Sequence, residues 1–137
     1  MSLIRVMMVD DFDQWRRSVV SSLQQIPTLR VICEVSDGLE AVRKAEELTP
    51  DLILLDIGLP GVNGIEAARR IIRLHPSNSK ILFMSQRSDP EVVQEALSVG
   101  ARGYLLKSDA GAELIAAVEA IVQGKPFLSG GLAAFAL

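Results

Sequence analysis

Asp51-Leu52-Ile53-Leu54-Leu55-Asp56-Ile57-Gly58-Leu59-Pro60-Gly61 holds four consecutive bulky apolar residues, a carboxylate at their end, and a loop that continues through Val62-Asn63-Gly64. An unbroken apolar run of this length reads as a strand buried on both faces, since a sheet with one wet face alternates apolar and polar residues. Outward from it lie four more apolar runs: Ile4 to Val9, Val31 to Val35, Ile81 to Met84 and Gly103 to Leu106. The segments between them carry helical spacing. Trp15, Val19, Leu23 and Ile26 step by three or four before Pro27; Val42, Ala45 and Leu48 precede Pro50; Ile65, Ala68 and Ile72 precede Pro76. A fourth helix has Asp89 at its N-cap, Pro90 at its first position and Gly100 past its end. Leu114, Val118, Ile121 and Val122 mark a fifth, closed by Gly124. Five strand–helix units in this order predict an α/β fold, a five-stranded parallel sheet with helices on both faces. Right-handed crossovers limit it to a few doubly wound topologies.

The chain has 137 residues, enough for one domain, with 49% apolar and 23% charged residues, a globular balance. A net charge of −3 argues against a broad electrostatic grip on nucleic acid or anionic membrane. Cys33, the only cysteine, excludes an intramolecular disulfide and a multi-thiolate metal site, and fits a reducing, cytoplasmic setting. No apolar run approaches a bilayer span, and the N-terminus lacks a cleavable secretory pattern. Residues 1–124 read as one domain. Residues 125–137, opening Lys125-Pro126-Phe127-Leu128-Ser129-Gly130-Gly131, have linker composition and read as a linker or the start of a further domain.

The polar residues at strand ends carry the chemistry. Asp10 and Asp11 follow the first strand, Asp56 the third, Ser85 the fourth and Lys107 the fifth. Open α/β sheets build their sites at the carboxyl ends of strands, where strand order reverses. A lone aspartate there is more often a helix cap than a reactive group, so the convergence of four segments carries the argument. Three clustered carboxylates repel one another, and one protonates unless a cation neutralises them. Oxygen-only ligands with open positions suit Mg²⁺ completed by a phosphate. Lys107 adds a second positive charge and Ser85 a donor, which together equip the edge for phosphoryl transfer to a carboxylate oxygen. Asp56, on a central strand, is best placed as the nucleophile.

These motifs together resemble the receiver domain family of bacterial two-component response regulators, over nearly the whole chain. The resemblance rests on Val9-Asp10-Asp11, on the stretch around Asp56, on Ser85, and on Gly103-Tyr104-Leu105-Leu106-Lys107-Ser108. It implies strand order 2-1-3-4-5 and Asp56 as phosphoacceptor. The implied metal ligands are Asp11, Asp56 and the Gly58 backbone carbonyl, with Asp10 acting through water. Ser85 and Lys107 bind phosphate, and Ser85 and Tyr104 form a switch that relays to the face of the fourth helix, fifth strand and fifth helix. A sensor histidine kinase is the implied partner, with homodimer formation on activation. Asn63-Gly64-Ile65-Glu66-Ala67 and the Tyr104 segment look most like the LuxR/NarL-type branch, which carries a C-terminal helix-turn-helix domain. Transcription control through such a domain is the expected output; the alternative is a stand-alone receiver acting by protein–protein contact. Three positions depart from the common pattern. Ser108 replaces proline, Gly58 offers no side chain to an attacking water, and Gln86 is bulkier than usual and narrows phosphate access.

Other readings fit less well. Phosphatases of the haloacid-dehalogenase type need a general acid two residues past the nucleophile, where Gly58 stands. A flavodoxin-like flavin site needs hydroxyls and amides in the first loop, where Asp10, Asp11 and Asp13 repel phosphate. His75 reads as a surface or helix-end residue. Cys33, Met7 and Met8 read as core, and Trp15 as a packing residue. Tyr104 reads either as an ordinary half-buried strand tyrosine or, from its position beside Lys107 and the family resemblance, as a switch.

Overall fold

The structure, a computed structural model, describes residues 3–74 and 79–135. Its strands are β1 (Ile4–Val9), β2 (Leu29–Val35), β3 (Leu52–Leu55), β4 (Lys80–Ser85), β5 (Gly103–Leu106) and β6 (Phe127–Leu128). Its helices are α1 (Asp13–Leu23), α2 (Gly38–Leu48), α3 (Gly64–Leu74), α4 (Pro90–Ser98) and α5 (Ala110–Val122), with 3-10 turns at Lys107–Asp109 and Gly130–Phe135. All strand pairs are parallel, in the order β2-β1-β3-β4-β5-β6. Among the described residues no helix is long and apolar enough to cross a membrane. The expected role of His75 falls outside the described residues.

The continuous apolar runs have the cause read from them: each strand feeds two cores. Met7, Val9, Ile53, Leu55, Ile81 and Phe83 face one way, against Ala41 and Ala45 of α2, Ile71 of α3 and Val93 of α4. Their neighbours Val6, Met8, Leu52, Leu54, Leu82 and Met84 face the other, against Val19 and Leu23 of α1 and Leu114, Val118 and Ile121 of α5. Alanines at 41, 45, 67, 68 and 96 let these helices lie close on the sheet.

Several details differ from expectation. Five strands are expected and six are present. Phe127–Leu128 lies in the segment of linker composition and is too short to signal a strand, yet the open edge of β5 recruits it. Phe127 N–H donates to the Arg102 carbonyl and Ser129 N–H to the Tyr104 carbonyl, while the buried Ser129 Oγ accepts from Leu106 N at 2.7 Å. An unpaired edge leaves backbone donors and acceptors to be satisfied, and these residues satisfy them. Helix α1 ends at Leu23, so Ile26 sits in the following turn, its N–H on the Leu23 carbonyl. Asp89 does occupy the N-cap of α4, but its carboxylate pairs with Arg87 Nε at 2.8 Å and makes no cap bond. Unforeseen caps are Asp37, which accepts from Glu40 N at 2.8 Å, and Asn63, which accepts from Glu66 N at 3.0 Å. Gly100 and Gly124 take positive φ just past α4 and α5, as read.

Candidate functional site

Chain direction around the sheet creates the site. After β1 the chain turns outward to β2, then returns to lay β3 on the other side of β1, so the loops leaving β1 and β3 diverge and open a crevice. Asp11 lies at one lip and Asp56 at the other; Asp56 N–H, bonded to the Val9 carbonyl at 3.0 Å, ties the two loops together. Ser85 and Lys107 arrive from the ends of β4 and β5. The resulting open cleft of about 330 Å³ is lined by Asp11, Phe12, Asp56, Ile57, Gly58, Ser85, Gln86, Arg87 and Lys107. Asp10 lies beneath it, fully buried. Two glycines allow the loop after Asp56 its course. A Cβ on Gly64 would fall 1.9 Å from the Asp56 carbonyl oxygen, and one on Gly38 would fall 1.8 Å from that of Val62. A side chain at either position would force the backbone apart.

The charges meet closely. Lys107 Nζ lies 2.7 Å from Asp10 Oδ2 and 3.5 Å from Asp56 Oδ2, its side chain only 10% exposed. The contact to Asp10 is an ion pair without hydrogen-bond alignment, so Asp10 Oδ2 has no hydrogen-bond partner, while its Oδ1 accepts from Phe12 N at 2.8 Å. Asp56 Oδ1 accepts from Ile57 N at 2.8 Å. Burial, followed by the neighbouring Asp10 charge, pushes the Asp56 carboxyl above its ordinary pKa, and Lys107 offsets only part of this. Arg16 supports the acidic lip from behind, donating from Nη1 to the Asp10 carbonyl at 2.8 Å and from Nε to Glu34 at 3.2 Å.

The oxygens suit a divalent cation. One carboxylate oxygen each from Asp10, Asp11 and Asp56 lies within 4.8 Å of the others. A Mg²⁺ with ligands at about 2.0–2.1 Å holds two of them at most about 4.2 Å apart. The cluster therefore needs only a small closure, or one carboxylate acting through water. Three carboxylates share one ammonium here, and Asp10 Oδ2, paired with Lys107 but without a hydrogen bond, keeps a lone pair open to a cation or its water.

A short relay leaves the cleft. Ser85 Oγ accepts from Arg87 N at 3.0 Å, and the Arg87 carbonyl accepts from the Tyr104 hydroxyl at 2.6 Å. Tyr104 is fully buried, not half-buried, with its ring centroid 6.3 Å from that of Phe83. Burial raises the pKa of its hydroxyl.

Asp11, Asp56, Gly58, Ser85 and Lys107 thus line the cleft, Asp10 lies beneath it, Tyr104 ends the relay, and Gln86 stands exposed at the mouth. Arg87, Phe12 and Arg16 were not anticipated. Arg87 acts through its backbone, which no side-chain pattern reveals. Phe12, 57% exposed beside the acidic lip, breaks the rule that aromatics bury, and that was its available signal.

The chain is similar to known proteins over nearly its whole length. Residues 6–119 match the family model of the response regulator receiver domain. The chain is 39% identical to the transcriptional regulatory protein LiaR of Bacillus subtilis over 96% of its own length and 62% of LiaR. It is 38% identical to the transcriptional regulatory protein DegU of Brevibacillus brevis, over 91% of this chain and 52% of that one. It thus spans about half to three fifths of the length of these curated relatives. The crystal structure of a LuxR-family two-component response regulator from Aurantimonas sp. SI85-9A1 superposes with a TM-score of 0.91 at 35% identity, covering 97% of this chain and 94% of that one. The signal receiver domain of the response regulator NarL from Mycobacterium tuberculosis superposes with a TM-score of 0.84 at 31% identity, covering 91% of this chain and 100% of that one. With its parallel sheet, its acidic crevice and these matches, the chain belongs to the response regulator receiver domain family, in the LuxR/NarL branch.

Proposed function

We propose that the cleft is a phosphorylation switch in which Asp56 accepts a phosphoryl group from a sensor histidine kinase. The observation that carries this reading is the meeting of Asp56 with Lys107, Ser85 and two further carboxylates in one open cleft. Asp11, Asp56 and the Gly58 backbone carbonyl would hold Mg²⁺, with Asp10 acting through water. Bound there, Mg²⁺ offsets the negative charge that spreads over the phosphoryl oxygens during transfer. A carboxylate oxygen of Asp56 attacks phosphorus; the new O–P bond forms as the N–P bond of the donor phosphohistidine breaks, and the leaving imidazole nitrogen takes up a proton. Lys107 shifts from Asp10 and Asp56 to a phosphoryl oxygen, and the Ser85 hydroxyl donates to another. Gly58 supplies no acid or base for turnover, which fits a switch that keeps its phosphate and not a phosphatase.

The output runs from Ser85. When its hydroxyl turns to the phosphoryl group, Arg87 N–H loses its acceptor and the loop holding Tyr104 is free to resettle. That reshapes the face of α4, β5 and α5, a local packing event with a distant readout. With Tyr104 already inward, phosphate shifts an existing equilibrium and does not create a new state. By analogy with relatives named transcriptional regulators, this face controls transcription in the cytoplasm, by homodimer formation and a DNA-binding domain following the receiver at residues 1–124 and the segment 125–137. Intact-mass measurement after incubation with acetyl phosphate and Mg²⁺ tests the core of this reading. Wild type should gain one acid-stable, base-labile phosphate. An Asp56→Asn variant gaining the same adduct in the same yield rules out the assignment.

A further inference from the structure

Lys107 has a third neighbour besides its two carboxylates. Its ammonium lies over the Trp15 ring, 5.3 Å from the centroid, within the range where a cation is attracted by the ring's negative face. Trp15 stands in the first turn of α1 and packs its body against the core between α1, α5 and the sheet. Its indole Nε1 is buried without any hydrogen-bond partner. A buried indole normally finds an acceptor, and a leucine or phenylalanine would fill this place without orphaning a donor. Packing alone therefore does not account for tryptophan here, whereas the ring face presented to a largely desolvated ammonium does.

We propose that Trp15 is a positioning residue for Lys107, holding its ammonium in the cleft for the phosphoryl group. This rests on the reading of Asp56 as phosphoacceptor. Without metal, Lys107 is anchored chiefly by Asp10 at 2.7 Å and Asp56 at 3.5 Å. Both anchors weaken once Mg²⁺ takes up their charge, because the cations then compete for the same oxygens. The ring is an anchor that the metal leaves untouched. It attracts the ammonium without forming an ion pair, so Lys107 stays near Asp56 yet remains free to bond a phosphoryl oxygen.

Trp15 is the only tryptophan in the chain, so biosynthetic labelling with fluorinated tryptophan alters this one ring. Fluorine drains the negative face while nearly preserving shape. The experiment measures the maximal rate of phosphorylation by acetyl phosphate at saturating Mg²⁺ for protein carrying tryptophan, 5-fluorotryptophan and 5,7-difluorotryptophan, and for Trp15→Phe and Trp15→Leu. Thermal midpoints and Mg²⁺ dissociation constants are recorded for each. The rate should fall stepwise with fluorine number, reaching about three- to tenfold in Trp15→Leu, with Trp15→Phe between and Mg²⁺ affinity unchanged. The ε-methylene protons of Lys107, assigned by NMR, should lie upfield from ring current in wild type and return to the ordinary lysine position in Trp15→Leu. Rates that are flat across the fluorine series, or that track the thermal midpoints, overturn the positioning role. So does an ordinary Lys107 shift in wild type, whatever the rates. A wild-type protein that takes no phosphate fails the Asp56 reading and this one together; a phosphorylated wild type with a flat series fails this one alone.

Discussion

Replacing Asp56 with asparagine removes one of three crowded carboxylates at nearly constant volume, and its effect on stability can be estimated from the site. Asp10 and Asp56 oxygens within 4.8 Å repel by about 3.5 kcal/mol at an effective dielectric constant near 20. Lys107 at 3.5 Å returns about 4.7 kcal/mol on the same scale. The Ile57 N–H bond adds about 1.5–3 kcal/mol, and desolvation of the ion takes back several. Repulsion and desolvation together exceed what Lys107 and Ile57 return, as the raised pKa shows, so the charge is net destabilising, by about 1 kcal/mol, the usual scale of a single substitution. Asparagine keeps an oxygen for Ile57 N–H, and Lys107 keeps Asp10 at 2.7 Å. In EDTA at neutral pH the variant should therefore be more stable by about 1 kcal/mol, or roughly 4 °C in Tm. The pH dependence has a definite sign. The folded pKa of Asp56 lies above its ordinary value of 3.8, so between the two the folded protein binds more protons than the unfolded. The Asp56 contribution is thus fully favourable below 3.8 and is lost as pH rises through the folded pKa. The advantage of the variant should open over that window and stay constant above it. Mg²⁺ should invert the order, since binding at a hundredfold excess over Kd stabilises wild type by about 2.7 kcal/mol and the variant has lost a ligand. Urea denaturation of both proteins, in EDTA and in Mg²⁺, at a series of pH values, reads all of this. An asparagine variant less stable than wild type in EDTA, or equal stabilisation of both by Mg²⁺, would show the charge balance to be wrong.

Asp11→Ala should weaken Mg²⁺ binding at least tenfold by calorimetry, since it removes the one exposed carboxylate of the cluster; unchanged affinity would take Asp11 out of the ligand set. Ser129→Ala should cost about 1–3 kcal/mol in urea denaturation, because it strands the buried Leu106 N–H, and a cost near zero would mean that β6 leaves the sheet readily in solution. With beryllofluoride bound, wild type should show NMR shifts across residues 89–123, and Ser85→Ala a much weaker response. Equal shifts in both would break the relay through Arg87 and Tyr104.

The sequence by itself determined the sheet, its helices and the reactive ends. Apolar runs such as Leu52 to Leu55 can only be buried on both faces, and the carboxylates, hydroxyl and lysine follow those runs directly, so local pattern placed Asp10, Asp56, Ser85 and Lys107 on one edge. What only the tertiary structure decided depends on partners distant in sequence. Phe127 and Leu128 carry too weak a local signal to be a strand, and become one because β5 offers unpaired backbone groups next to them. Tyr104 is fully inward because a backbone carbonyl at Arg87 is there to receive its hydroxyl. Trp15 reads as core from its spacing, yet its face meets an ammonium 92 positions away. Periodicity reports which side of an element is apolar. It carries no information on which polar atom waits across the fold, because that is fixed only when separate elements pack against one another.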